Sequence, residues 1–315
     1  MMTLLLIALA GCAAQLVDGG LGMGFGATST TILILAAGLG PAQASAVVHA
    51  AQLGTTLVSG CSHWRFGNVD WRVVACLGIP GAVGAFAGAN ALVFLSAAAA
   101  RPVMAAILAL IGANLVYRFS RGRVRRKLDP RPHGAGFLSG LGLVGGFIDA
   151  TGGGGWGPVT TSTLLSMART SPRRIVGTVN TAEFIVTSAA VAGFVSGLWA
   201  ELAEHAAAAF ALLIGGAVAV PAAAWIVTKM NPVALGGAVG TLLVVLNLPT
   251  VLAAAGGPPV ATGAVTGLVA AAGVVLSARG YFRARVQSAG KSEARPSVSA
   301  PPFSARSESK RVRSR

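Results

Sequence analysis

Asp149-Ala150-Thr151-Gly152-Gly153-Gly154-Gly155-Trp156-Gly157 repeats, 131 residues later, the pattern of Asp18-Gly19-Gly20-Leu21-Gly22-Met23-Gly24-Phe25-Gly26. At that offset Asp18 falls on Asp149, Gly22 on Gly153, Gly24 on Gly155, Phe25 on Trp156 and Gly26 on Gly157. The register continues without a gap through Thr30 and Thr161, Leu33 and Leu164, Pro41 and Pro172, Val48 and Val179, Ala51 and Ala182, and Thr56 and Thr187. The chain is therefore a duplication, and each copy carries its glycine cluster at the same place.

What surrounds the clusters is apolar. Hydrophobic residues make up 54% of the 315 and charged residues 10%, and the apolar residues lie in nearly uncharged runs long enough to cross a bilayer as helices. Spans are expected near residues 43–62, 72–94, 102–118, 175–196, 206–228, 232–250 and 260–279. Segments 2–38 and 134–168 are each long enough for two helices but break at the glycines. The fold class expected is all-α, a polytopic integral membrane protein of two inverted repeats, each a glycine-broken hairpin plus three spanning helices, with one extra C-terminal span. The organisation read from this is a first repeat over 1–119, a basic cytoplasmic loop over 120–133, a second repeat over 134–250, a final span over 251–280 and a disordered basic cytoplasmic tail over 281–315. A duplicated membrane chain with matched glycine breaks has the sequence form of a transporter.

The net charge of +15 would suggest nucleic acid in a soluble protein, but sixteen of the 24 basic residues sit in the loop Arg118–Arg131 and the tail Arg283–Arg315. The loop has no interleaved aromatic residue and the Ser/Pro-rich tail has no core-forming pattern, so both read as cytoplasmic flanks and no nucleic-acid partner is expected. Loop charge also bears on inversion. The turn at Pro41 is uncharged, whereas its counterpart at Pro172 carries Arg169, Arg173 and Arg174; the next loop carries Arg65 and Arg72 in the first half but Glu201, Glu204 and His205 in the second. Equivalent loops are thus expected on opposite faces of the membrane.

Leu9-Ala10-Gly11-Cys12 has the form of a lipoprotein cleavage site, but Met1-Met2-Thr3 lacks the positive charge of a signal sequence, and cleavage would remove the first limb of a repeat. Cys12, Cys61 and Cys76 show neither metal nor redox spacing and read as small packing residues.

Irregular backbone at membrane depth is tolerated where it is buried in protein or lines a polar cavity, so the two clusters should meet inside the bundle. Glycines let a ligand touch the main chain. Helices resuming at Phe25 and Trp156 would present N-terminal N–H groups, which favour an anion by roughly 0.3–1 kcal/mol each. No lysine or arginine falls at mid-depth in the spans, so an anion would rely on these donors and on hydroxyls from Thr28, Ser29, Thr30 and Thr31 and from Thr160, Thr161, Ser162 and Thr163. Close helix packing is the alternative use of such glycines; two clusters in one register, each preceded by Asp and followed by an aromatic residue, favour the site.

His49, Gln52 and Thr56 share one helical face, and Asn180, Glu183 and Thr187 occupy the equivalent positions. An ionised carboxylate at the centre of a span costs about 2.5–3.5 kcal/mol on insertion scales. Glu183 is therefore read either as a proton carrier or as a structural tie between helices, and Asp18 and Asp149 either as caps of broken helices or as participants in transport. Gly152–Gly157 formally fits a dinucleotide fingerprint but follows no strand. No catalytic residue, metal ligand set or cofactor motif is found, and no enzyme activity is expected.

At Gly19–Gly26, at Gly152–Pro158 with Thr160 and Thr161, and at Gly177-Thr178-Val179-Asn180-Thr181, the chain resembles the sulfite exporter TauE/SafE family, also called the toluene-sulfonate uptake permease family. The resemblance covers roughly residues 4–279. It implies an inner-membrane protein of two related halves that moves sulfite, sulfonates or other small anions. It also implies that Gly19, Gly20, Gly22, Gly24, Gly26 and Thr28, with Gly152, Gly153, Gly154, Gly155, Trp156, Gly157 and Thr160, line a central anion site; Asn180, from the polar stripe, is expected to bind substrate with them. The halves differ where Ala27 faces Pro158 in the alignment, and His49 and Gln52 face Asn180 and Glu183, so they contribute unequally. The expectation is a secondary transporter of a small anion in the cytoplasmic membrane, working by alternating access with a proton as coupling ion and with Glu183, Gln52, His49, Thr56 and Thr187 as the polar stripe. The rival readings are a non-transporting membrane assembly partner and a membrane enzyme acting on a lipid or quinone.

Overall fold

The computed structural model describes residues 2–21, 23–121, 132–167, 169–229 and 232–293; Gly22, residues 122–131 of the basic loop and the tail from 294 lie outside them. The described residues form helices α1 (Met2–Leu21), α2 (Phe25–Ala36), α3 (Pro41–Arg65), α4 (Trp71–Phe94) and α5 (Ala97–Ser120) in the first half. The second half has α6 (Ala135–Gly152), a π-helical turn Gly157–Thr161 running into α7 (Ser162–Met167), then α8 (Pro172–Glu204), α9 (Ala206–Lys229), α10 (Pro232–Ala254) and α11 (Pro259–Glu293). Each glycine cluster breaks a hairpin as expected, between α1 and α2 and between α6 and the π turn. Helix α11 continues to Glu293, into the stretch read as tail from 281, because Arg, Ala, Gln and Lys favour a helix as readily in water as Leu does in lipid.

Among the described residues six helices are long and apolar enough to cross a membrane: α4, α5, α6, α8, α10 and α11. Helix α3, read as a span, has the length but not the hydropathy, since it carries His49, Gln52, Thr55, Thr56, Ser59 and Ser62 on 25 residues. It tolerates them because half of it is buried against other helices, chiefly α8.

Packing follows the duplication. Helix α6 lies along α4 and α1 along α9, while α3 pairs with its own counterpart α8, and α5 with α10. The crossings are made by glycine: a Cβ on Gly142 of α6 would strike the carbonyl of Leu77, and one on Gly11 of α1 the carbonyl of Leu212. Gly11 and Gly142 are equivalent positions, so the same close backbone approach is built twice, as small residues allow in membranes where apolar side chains gain nothing by leaving lipid.

The start of α3 packs on the end of α8, where Gln43 and Val47 share a crevice with Glu201 and His205, so these two equivalent helices run antiparallel. At the other end, Arg174 pairs with Asp70 at 3.4 Å and Arg169 Nη1 donates to the Pro132 carbonyl at 2.7 Å. These contacts gather the loops before α4, α6 and α8 on one face, with Arg65, Arg72 and Arg173 exposed beside them. Burial and the nearby Arg169 hold His133 below the usual imidazole range, so it is neutral there at pH 7 and adds no charge.

Candidate functional site

The two hairpin tips meet backbone to backbone. A Cβ on Gly26 would stand 2.6 Å from the Gly154 Cα, and Thr30 Oγ1 donates to the Gly153 carbonyl at 2.5 Å. Gly153 (φ +69°) and Gly154 (φ +145°) adopt torsions that residues with a Cβ rarely take, and Gly24 (φ +121°) does the same in the first half.

Each tip is capped by its aspartate. Asp149 Oδ1 accepts from the N–H groups of Gly155 at 2.6 Å and Trp156 at 2.8 Å, and the equivalent Asp18 carboxylate lies against the Phe25 N–H. Phe25 and Trp156 are equivalent, so both halves use one device, and it is the capping alternative read from the sequence. The consequence is that the first N–H groups of each half-helix are already taken. First-turn amides have no intrahelical acceptor, which leaves the equivalent Gly26 and Gly157 to present theirs, and both line the cavity described next.

Below the tips lies a cavity of about 400 Å³. Its walls bring together Gly24, Gly26, Gly154, Trp156, Gly157, Asn180, Gln52, Glu183 and Thr56 from the sequence-based set. Gly152, Gly153, Gly155, Thr28, Thr160, His49 and Thr187 lie outside that lining, and Gly19 and Gly20 belong to the end of α1. The hydroxyls behind the second tip serve their own helix: Thr160 donates to the Trp156 carbonyl at 2.5 Å, Ser162 to Pro158, and Thr163 to Val159 at 2.5 Å. Such back-bonding competes with the helical ladder and accompanies the π turn, where Pro158 also removes a donor. Thr28 and Thr187 are buried without a partner.

The sequence reading missed Gln15, Thr55, Ser59 and Ser62, which line the same space. The signal was present, because Gln52, Thr55, Thr56, Ser59 and Ser62 extend the α3 stripe at helical spacing. Ten residues of helix rise about 15 Å, roughly half the hydrocarbon thickness of a bilayer. The cavity thus reaches from the middle of α3 toward Arg65 and the arginine-bearing face. The equivalent stretch of α8 is closed: Val186, Thr187 and Ala190 are fully buried and a Cβ on Gly193 would press on Ala89 of α4. In a background lacking Cys12, Cys61 and Cys76, a cysteine at Ser59 is therefore expected to react with a membrane-impermeant thiol reagent added at the arginine face. One at the equivalent Ala190 should stay unmodified; equal labelling of both would contradict a path open along α3 alone.

Polar contacts tie the walls. Gln52 Nε2 donates to Glu183 Oε1 at 3.2 Å and Asn180 Nδ2 to Ser59 Oγ at 3.0 Å. Gln52 and Glu183 are 131 residues apart, so two equivalent residues touch each other, which places them where the two halves meet. Asp18, Asp149 and Glu183 all line the cavity, and among the described residues no arginine or lysine does. Trp156 is held by its Nε1–H, which donates to the Val179 carbonyl at 3.2 Å.

Residues 7–250 match the family described as Sulfite exporter TauE/SafE. The chain is 44% identical over 256 residues to the "Probable membrane transporter protein YtnM" of Bacillus subtilis (strain 168), covering 80% of this chain and 84% of that relative. No solved structure matches.

Proposed function

This chain belongs to the sulfite exporter TauE/SafE family, a family of membrane transporters, and from that premise we propose that it is a secondary transporter of a small anion such as sulfite, an organosulfonate or a carboxylate. The anion is held at the hairpin tips by the Gly26 and Gly157 amides, with Asn180, Gln52 and Trp156 around it. Gly24 keeps a side chain out of its way, and Gly154 lets the two tips close on each other. The halves are inverted repeats: α3 and α8 run antiparallel, and Gln52 meets its equivalent Glu183 across the axis between them. With the arginine-bearing face cytoplasmic, the cavity is open inward in the cytoplasmic membrane, and alternating access closes the α3 path while opening the equivalent one along α8.

The observation that carries the reading is the composition of the cavity wall: three carboxylates, backbone donors and amides, and no cation among the described residues. An anion entering beside ionised carboxylates is repelled in a medium that screens poorly. Protons entering with it relieve that repulsion, which makes a proton the coupling ion and Glu183, at the centre of its span, the carrier. Proteoliposomes with an imposed pH gradient should accumulate labelled sulfite, with an expected ratio of about tenfold per pH unit for one proton per anion, since each unit is worth 1.36 kcal/mol. Accumulation that ignores the gradient would leave facilitated diffusion in its place.

A further inference from the structure

His49 and Asp149 come from opposite halves of the chain and meet in the interior, 0% and 1% exposed, with His49 Nε2 at 3.2 Å from Asp149 Oδ2. The hydrogen-bond inventory around them settles where protons must be. His49 Nδ1 lies 2.8 Å from the Ser45 carbonyl oxygen, which can only accept. The Ser45 hydroxyl also lies near Nδ1, at 3.3 Å, but its one proton goes to the Ala150 carbonyl at 2.7 Å. Nδ1 therefore carries a hydrogen and donates. A neutral ring protonated at Nδ1 has a bare lone pair at Nε2, and a bare lone pair facing an ionised carboxylate is a repulsive contact between two acceptors. The observed pair needs one more proton, either on Nε2 or on Asp149 Oδ2.

We propose that His49 and Asp149 form a buried proton-binding site, separate from Glu183, whose occupancy sets the affinity of the adjoining cavity for an anion. Asp149 is the link. Its Oδ1 caps the second half-helix through Gly155 and Trp156, and its carboxylate lines the cavity. With the proton in place the pair is neutral, and the tip is held to α3 through Asp149–His49 and Ser45–Ala150. Without it the pair carries one negative charge beside the anion, and of the two hydrogen bonds to α3 only Ser45–Ala150 remains. The other titratable groups around this space are Glu183 on α8 and Asp18 on α1, both on the cavity wall, while α8 presents the Phe194 ring to His49 at 5.8 Å. Because linkage is reciprocal, anion binding in turn tightens the hold on the proton.

The affinity claim rests on the anion-transport reading; the proton site does not, and the experiment separates them. In the first arm, the full-length protein with ¹⁵N-labelled histidine is examined by NMR in lipid, His49 being identified by loss of its signals in His49→Gln. The expected result near neutral pH is a protonated Nδ1 and an Nε2 displaced from the unprotonated position by an attached or donated proton; a bare, unprotonated Nε2 overturns the site. In the second arm, binding of methanesulfonate, whose own charge is constant over the range, is measured against pH. Asp149→Asn keeps the cap acceptor and supplies a permanent N–H to His49, so it should retain tight binding at alkaline pH. His49→Gln leaves the carboxylate charged, so it should bind weakly even at acid pH. Both should lower the slope of log Kd against pH by one relative to wild type, with Glu183 and Asp18 common to all three proteins. A purely structural role would weaken binding in both variants and leave the slope intact, which overturns the affinity claim. A wild type that binds neither methanesulfonate nor sulfite overturns the transport reading and the affinity claim together, and the NMR arm still decides the proton site.

Discussion

Gly154→Leu should reduce sulfite exchange in proteoliposomes by about 100-fold or more while the protein still reaches the membrane fraction and elutes as a single species. The φ of +145° is a conformation that leucine avoids, and its Cβ would overlap the backbone of Gly26 and the amide of Ala27. The tips cannot then close on each other, and displacement of a binding group by about 1 Å is enough for a 100-fold loss. The crossings of α4 with α6 and of α1 with α9 lie elsewhere and keep the bundle assembled. Gly38→Leu is the control for left-handed torsional strain: its φ is +71° but nothing lies within 4 Å of the added Cβ, so it carries strain of about 1–3 kcal/mol without touching the site. Equal loss in both variants would assign the effect to strain rather than to the tips.

The second large effect is expected at Glu183. Its carboxyl accepts from Gln52, and a glutamine there keeps the size and the acceptor while removing the titratable proton. Glu183→Gln should bring the accumulation ratio under a pH gradient from about tenfold per unit toward one, measured in the exchange that remains. Preserved accumulation would place the coupling proton elsewhere, with His49–Asp149 the first candidate. Removal of the carboxyl altogether, as in Glu183→Ala, should be worse for assembly, because it leaves both polar ends of the buried Gln52 amide without a partner; its Oε1 already has none.

The fold was legible because its signals are local or periodic: apolar runs set the spans, and the two glycine clusters set the hairpins in one register. The caps were legible as one of two alternatives, since an aspartate six or seven residues before a resuming helix is a common donor-satisfying arrangement. Thr28 and Thr160 were harder, because a hydroxyl beside a glycine break looks available in sequence while a helix offers it a carbonyl one turn back, as Trp156 does for Thr160. The His49–Asp149 contact spans 100 residues and depends on how α3 docks against the opposite hairpin, which no local pattern encodes. Ser59 and Ser62 continue a stripe that was recognised only at its first members. That they face open space while their equivalents on α8 are buried is a property of the state of the molecule, and two nearly symmetric halves of sequence cannot specify which path is open.

Counterflow decides whether the hairpin tips carry an anion across the membrane. Proteoliposomes loaded with labelled sulfite are placed in a panel of unlabelled sulfite, sulfonates, sulfate and short carboxylates, with wild type beside Gly154→Leu. If the tips hold the anion, the wild type alone releases label in exchange for those anions that fit between them, ranked by their competition. Failure of the wild type to exchange with any of them, or equal exchange by the leucine variant, would contradict that role of the tips.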